Sequence, residues 1–410
     1  MERDELKAWL RLTLSPGVGN VSARKLLETF GLPQAIFEQT TAALRQVSTT
    51  AQTQALRSEP PALSALLETT WNWLNQGEAD GCRRTIVTLG DPGYPQALLD
   101  IDDPPLMLYL LGKASFMACV PPACADAASN GKAPWSDPWS INPQRCLAVV
   151  GSRNPTPQGA RNARLFAKAL VQAGLTVVSG LALGVDGAAH EGALEGLPEG
   201  DTDHAATLAV IGTGLDRVYP KAHHQLAHRI AQHGLLLSEY PLGTPPLNAN
   251  FPKRNRLIAG LARGTLVVEA ALQSGSLITA RLTAEQGKDV FAIPGSIHAT
   301  QSRGCHALIK QGAKLVESTQ DVLEELQGFS AWPAATECSA VHEVTHSEVC
   351  VPDAGNTLLQ AIGFDPVGLD ALQGRTQFTT ADLQAQLMTL EINGQVARLP
   401  GGLFQRLSGA

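Results

Sequence analysis

From residue 146 onward the chain alternates short, unbroken apolar runs with stretches of helical period. The runs are CLAVVG (146–151), LTVVS (175–179), TLAVIG (207–212), LLLSEY (235–240), TLVVEA (265–270), DVFAIP (289–294) and AKLVES (313–318). Helical spacing fills the intervals, at about 157–173, 184–195, 221–233, 250–262, 275–287, 303–311 and 319–327. Apolar runs without polar alternation belong to strands covered on both faces. Alternating with helices, they predict an α/β fold: an extended, Rossmann-like, doubly wound parallel sheet.

The flanks have a different texture. Residues 1–80 read as a small domain of short helices, in which LSPGVGNVSARKLLETFG (14–31) sets a Gly-x-Gly turn between two helical patterns. Helix–hairpin–helix and SAM-like modules carry such a turn, whose amides can meet a phosphate; a plain antiparallel helix pair shows the same pattern. The Rossmann-like domain is expected over 82–327, opening with RTIVTLG and closing its irregular first part on LMLYLLG. Inside it, 114–144 is rich in Ala, Pro and Ser and lacks period, so it reads as a flexible insertion. Residues 328–353 read as a linker. Residues 354–410 outline a winged-helix-like domain: two short helices, a Thr-capped longer one and a Gly-tipped hairpin. The longer helix carries Asp382 and Glu391 and almost no basic residues, which leaves protein contact and DNA reading both open.

Charge narrows the search. The chain as a whole is at −7, which argues against coating nucleic acid by bulk charge, yet residues 145–326 hold 17 Lys+Arg against 15 Asp+Glu. An anion site is therefore sought in the middle segment. Seven cysteines without a CxxC pair predict neither a disulfide framework nor a metal site, Cys119 and Cys124 being the nearest pair. The opening MERDELKAWL does not read as a signal peptide, and no apolar run reaches the roughly 18 residues of a membrane span. A cytoplasmic protein without membrane contact is expected.

In an open parallel sheet, ligands bind beyond the carboxyl ends of the strands, and those loops repeat one chemistry here. The first supplies Gly151, Ser152 and Arg153, with Thr156 as helix cap and Pro157 in the first helical position. The second begins at Gly180. The third has Gly212, Gly214 and Lys221. The fourth delivers Asn250, Lys253, Arg254, Asn255 and Arg256 at a helix start, and the fifth Ser274, Gly275 and Ser276 at another. All fifteen are candidate phosphate contacts through amides, hydroxyls and cations. Arg161, Arg164 and Lys168 form a solvated basic face on the helix after the first loop and add only field.

Catalytic signatures point elsewhere. No GxxxxGK[ST] occurs, and the first loop reads GSRNPTPQG where a dinucleotide site would need GxGxxG, so neither an NTPase nor a cofactor is expected. Asp186 and His190, spaced i, i+4, are expected to pair or to cap backbone rather than to catalyse. Glu239 and Glu269 are the other acid–base candidates. Glu269, beside the Ser-Gly-Ser loop, is expected to hold Arg153 or Arg256 in an ion pair. Its rival role is that of the glutamate in a nucleotide phosphoribohydrolase-like enzyme.

The blocks VVGSRNPTPQG, VVSGLALGVDGAAHEGAL, AVIGTGLDRVYPKAH, the long LLSEYPLGTPPLNANFPKRNRLIAGLARGTLVVEAALQSGSLITARLTAEQGKDVFAIPG and GCHALIKQGAKLVES stand in one order over about 85–327. Together they resemble the DNA-processing protein A (DprA/Smf) family. The resemblance implies a homodimer that binds single-stranded DNA without sequence preference. It further implies protection of incoming strands in natural transformation and help in loading the RecA recombinase past single-strand-binding protein, with no hydrolytic activity. By motif position it makes Arg153 and Lys221 DNA contacts, joined by Arg254, Arg256, Ser274 and Ser276. The chain departs from the usual pattern after Tyr-Pro-Lys, reading Ala222-His223-His224 where an Asn is frequent. With 5% aromatic residues, base stacking is expected to weigh less than phosphate contact.

Overall fold

The computed structural model describes residues 1–76, 81–117, 141–198, 200, 204–326, 354–363, 366–376 and 378–407. Six helices come first: α1 (Arg3–Leu14), α2 (Asn20–Phe30), α3 (Pro33–Glu38), α4 (Thr41–Val47), α5 (Thr50–Arg57) and α6 (Leu63–Leu74). Two strands follow, β1 (Cys82–Thr88) and β2 (Met107–Lys113). The alternating part then runs β3 (Cys146–Val150), α7 (Pro157–Gln172), β4 (Thr176–Ser179), α8 (Val185–Gly196), β5 (Thr207–Val210), α9 (His224–His233), β6 (Leu235–Ser238) and α10 (Asn250–Leu261). It closes with β7 (Gly264–Val267), α11 (Ser276–Glu285), β8 (Asp289–Ala292), α12 (Arg303–Lys310), β9 (Lys314–Leu315) and α13 (Thr319–Glu325). All seven expected strands form, although AKLVES pairs only through the two residues of β9. Most of the expected insertion, 118–140, lies outside the described residues, as do Cys119, Cys124 and the linker.

The nine strands form one sheet in the order β1-β2-β6-β5-β4-β3-β7-β8-β9. Strands β3 to β9 are mutually parallel; β1 and β2 add an antiparallel edge. Side chains alternate between faces, so Leu147 and Val149 pack against α7 and α8 while Ala148 and Val150 pack against α10. Each fully buried aliphatic side chain contributes about 2 kcal/mol of transfer free energy. The order reverses between β3 and β7, and that switch point opens a crevice at their carboxyl ends.

The expected boundary near residue 80 is not a boundary of the core. Leu6, Trp9, Leu26 and Trp73 of the N-terminal helices share one buried cluster with Ile86, Tyr109, Ile211 and Leu236 of the sheet. The N-terminal helices are thus a layer on the sheet, a long-range arrangement that local periodicity does not encode.

The C-terminal unit is α14 (Ala354–Ile362), β10 (Val367–Gly368), α15 (Leu369–Thr376), α16 (Thr380–Ile392), β11 (Val396–Leu399) and β12 (Leu403–Arg406), with sheet order β10-β12-β11. Thr379 caps α16, its hydroxyl accepting from the Asp382 amide at 3.2 Å. The expected winged-helix outline is present. Among the described residues no helix is long and apolar enough to cross a membrane, and no three His, Cys, Asp or Glu side chains gather as a metal site.

Candidate functional site

At the switch point the loops after β3 and β7 enclose a cleft of about 610 Å³ with the start of α10. Eight of the fifteen candidates line it: Gly151, Ser152, Arg153, Arg254, Asn255, Ser274, Gly275 and Ser276. The first loop is held tightly. A Cβ at Gly151 would lie 2.8 Å from Val185 and 2.9 Å from the Glu269 carbonyl, so only glycine fits there. The Ser152 carbonyl accepts from the Val185 amide at 3.1 Å, its hydroxyl accepts from the Asn154 amide at 3.1 Å, and the Gln301 side chain donates to the Asn154 carbonyl at 2.8 Å. Thr156 caps α7 as expected, accepting from the Gly159 amide at 3.0 Å.

Glu269 is not an ion-pair partner. Its carboxylate accepts from the Thr156 amide at 2.9 Å and from the Thr156 hydroxyl at 2.6 Å, fastening the first loop to the end of β7. Burial pushes its pKa up and the Thr156 donors pull it back. The expected pairing with Arg153 or Arg256 fails because Thr156 takes the carboxylate and Arg256 is bound by Glu239. Asp186 caps backbone as expected, accepting from Gly180 and Ala182 amides at 3.2 and 3.3 Å. His190 faces away from it, its Nδ1 lying 2.7 Å from the Thr207 hydroxyl.

The two arginines of the cleft differ in kind. Arg153 is exposed and forms no ion pair among the described residues. Its guanidinium carbon lies 5.4 Å from the centre of the Phe251 ring, and Phe251 lies 5.6 Å from Tyr219, which is 48% exposed. Lys221 is exposed two residues beyond Tyr219 in the chain and has no ion pair among the described residues either, but it does not line the cleft. Arg254 is only 3% exposed. It donates to the Val210 carbonyl and lies against Gly180, where any Cβ would overlap its guanidinium. Burial lowers its pKa to about 10, offset by Asp186, whose own pKa burial raises. Arg254 is floor, and Arg153 is rim.

The other candidates lie off the cleft. Gly180 and Gly212 shape the wall behind it; a Cβ at Gly212 would lie 3.1 Å from the Phe251 ring, and the Gly212 carbonyl accepts from the Asn250 side chain at 3.1 Å. The amide of Gly214 donates to the Thr244 carbonyl at 3.1 Å. Lys253 and Arg256 turn toward a second cleft, because consecutive helical residues point about 100° apart and cannot all face one groove. His223, in the departing Ala-His-His segment, sets its Nδ1 3.0 Å from the Leu181 carbonyl. Arg164 is bound by Glu195, with Glu191 at 3.8 Å, so the expected free basic face on α7 is partly neutralised. Sequence reasoning missed Phe251 and Tyr219, although an aromatic beside Lys-Arg-Asn-Arg and another beside Pro-Lys were local signals.

Comparison with known proteins follows the same lines. The family model described as DNA recombination-mediator protein A matches residues 138–327, and the DprA winged helix domain matches 350–402. Protein Smf of Escherichia coli is 44% identical over 258 residues, covering 62% of this chain and 66% of that one. Protein Smf of Synechocystis is 35% identical over 344 residues, covering 78% and 79%. The X-ray structure of DNA processing protein A from Streptococcus pneumoniae superposes with a TM-score of 0.60 at 36% identity, over 77% of this chain and 95% of that one. By sequence, by domain content and by fold, this chain belongs to the DprA/Smf family.

Proposed function

We propose that this protein binds single-stranded DNA through its backbone, with the strand entering the cleft at the β3/β7 switch point. One observation carries the reading: Arg153, exposed and without an ion pair among the described residues, stands over that cleft with the start of α11 on its lining. That helix opens at the exposed Gly275 with no acidic residue in its first turn, so the positive end of its dipole faces the cleft. Cation and helix dipole together suit successive phosphates and carry no base code. Duplex DNA, stiff over about 150 bp, does not bend into such a cleft, whereas a single strand does. The Phe251–Tyr219 pair beside Arg153 offers rings for bases, worth about 1–3 kcal/mol each, so stacking counts for more than the overall aromatic content suggested.

The finer role is part of the same proposal. It comprises protection of incoming single strands, delivery to RecA past single-strand-binding protein, and action as a cytoplasmic homodimer. Its support is the family membership and a cleft suited to any sequence. The hydrolase alternative loses ground because Glu269, its candidate acid, is held by two Thr156 donors.

The test is ssDNA affinity against salt for wild type, Arg153→Ala and Lys221→Ala. Each variant is expected to bind about tenfold more weakly at low salt, with a log–log slope smaller by about one and little dependence on base sequence. Wild-type binding by both would overturn the assignment. Release of base from nucleoside monophosphates, abolished in Glu269→Gln, would instead establish the hydrolase.

A further inference from the structure

The Gly-x-Gly turn between α1 and α2 plays no part in the cleft described above, and it borders a cavity of its own. A second cleft of about 630 Å³ lies where the N-terminal helices meet β2 and α10. Thr13, Gly19 and Asn20 form one side of it; Glu239, Lys253 and Arg256 stand on the other. Pro252 and Ile278 line both clefts, so the two are neighbours across a single ridge.

The electrostatics of this cavity can be followed group by group. Asp103 accepts from Arg24 at 2.7 Å and Asn20 at 3.2 Å, and lies 3.5 Å from Arg256; Glu239 is taken by Arg256. Both carboxylates are therefore matched by cations, while Lys253 forms no ion pair among the described residues. The eleven-residue helix α2 starts at this cavity with Gly19 as its cap, with no side-chain cap bond and no acidic residue in its first turn, so its leading amides are unneutralised. A second, independent sign of a missing ligand is Tyr109, which lines the same cavity at 1% exposure with a hydroxyl that has no partner among the described residues. Leu106, Met107 and Pro241 supply apolar wall.

We propose that this second cleft is a further binding site for the same single strand. On leaving the first cleft the strand crosses Pro252 and sets a phosphate between the α2 amides and Lys253, with the attached nucleoside against the apolar wall. The N-terminal helices would thereby lengthen the footprint rather than serve only as a layer on the sheet. This rests on the reading of the first cleft given above.

Gly19 allows a clean test, since a Cβ there would meet nothing within 4 Å and its φ of −82° suits any residue. The full-length protein and its Gly19→Ser, Gly19→Glu and Gly19→Lys variants are titrated with labelled oligothymidylates of about 4 and about 15 nucleotides, and with thymidine monophosphate. For the long strand, Gly19→Glu is expected to weaken and Gly19→Lys to tighten binding by about three- to tenfold at low salt, with Gly19→Ser close to wild type. The short strand is expected to bind all four proteins equally. Equal long-strand affinity for the Glu and Lys variants, with short-strand binding intact, overturns the second site alone. A monophosphate whose affinity follows the charge at residue 19, while the long strand does not, makes the cavity a site for free nucleotide and overturns the proposal as well. Failure of wild type to bind the short strand overturns the first cleft instead.

Discussion

At the mouth of the first cleft Arg153 is exposed, faces an aromatic ring and forms no ion pair among the described residues; beneath it Arg254 is sealed against Gly180 and donates to the Val210 carbonyl. Both come from loops at the same sheet edge and both were candidate contacts for one ligand. Their difference is one of dielectric. A guanidinium in water keeps its charge at no desolvation cost and can exchange solvent for phosphate. One in the interior must be matched by a buried acid and fixed acceptors, which here are Asp186 and Val210. The mouth can be altered without touching the fold, and the floor cannot.

The largest expected effect follows directly. Arg254→Met removes the cation that offsets the buried Asp186 carboxylate, and should cost about 3 kcal/mol of stability. Urea unfolding at constant m-value would read it as a lower midpoint. Arg153→Ala in the same assay should stay within about 0.5 kcal/mol of wild type. A stable Arg254→Met protein that has lost only ssDNA affinity would erase the distinction between floor and mouth.

The next effect belongs to the floor alone and depends on pH. His190 is fully buried, close enough to Arg254 to feel its charge, and its pKa is pushed down to about 3, chiefly by burial. In the unfolded chain it titrates near 6.5. As pH falls below that value the unfolded chain takes up a proton that the folded one refuses, so stability declines from about pH 6.5 toward 3 and is unaffected above it. His190→Asn keeps a donor toward Thr207 and does not titrate. Between pH 7 and pH 5, wild type should lose about 2 kcal/mol more than this variant. Equal losses would mean that protonated His190 is accommodated by the floor.

Much of this was legible in the chain, and the limits are instructive. Parallel strands buried on both faces leave continuous apolar runs, so the sheet and its strand-end loops could be read directly, along with eight of the residues that line the cleft. Helical geometry was also available: Lys253, Arg254, Asn255 and Arg256 could never share one groove, since 100° steps send them to different sides of α10. What no local pattern carries is depth. Arg153 and Arg254 differ because Gly180 and Val210, distant in sequence, close over one of them. The fusion of the N-terminal helices with the sheet core is hidden for the same reason. Phe251 was overlooked because a chain-wide aromatic fraction says nothing about one ring beside one arginine.

The smallest expected effect tests which atoms of the mouth matter. Ser274 and Ser276 were candidates for their hydroxyls, yet those hydroxyls lie 2.7 Å from each other, and the Ser274 hydroxyl also accepts from the Ser276 amide at 3.4 Å. They are occupied in shaping the start of α11. What the start of α11 keeps toward the cleft is the positive end of its dipole, which substitution of a side chain does not remove. Ser274→Ala should therefore change ssDNA affinity by no more than about twofold, well below the loss for Arg153→Ala, and leave the salt slope unchanged because no charge is lost. A loss as large as that of Arg153→Ala would show the hydroxyl itself donating to phosphate. The mouth would then be a side-chain site on both walls rather than a cation facing a helix start.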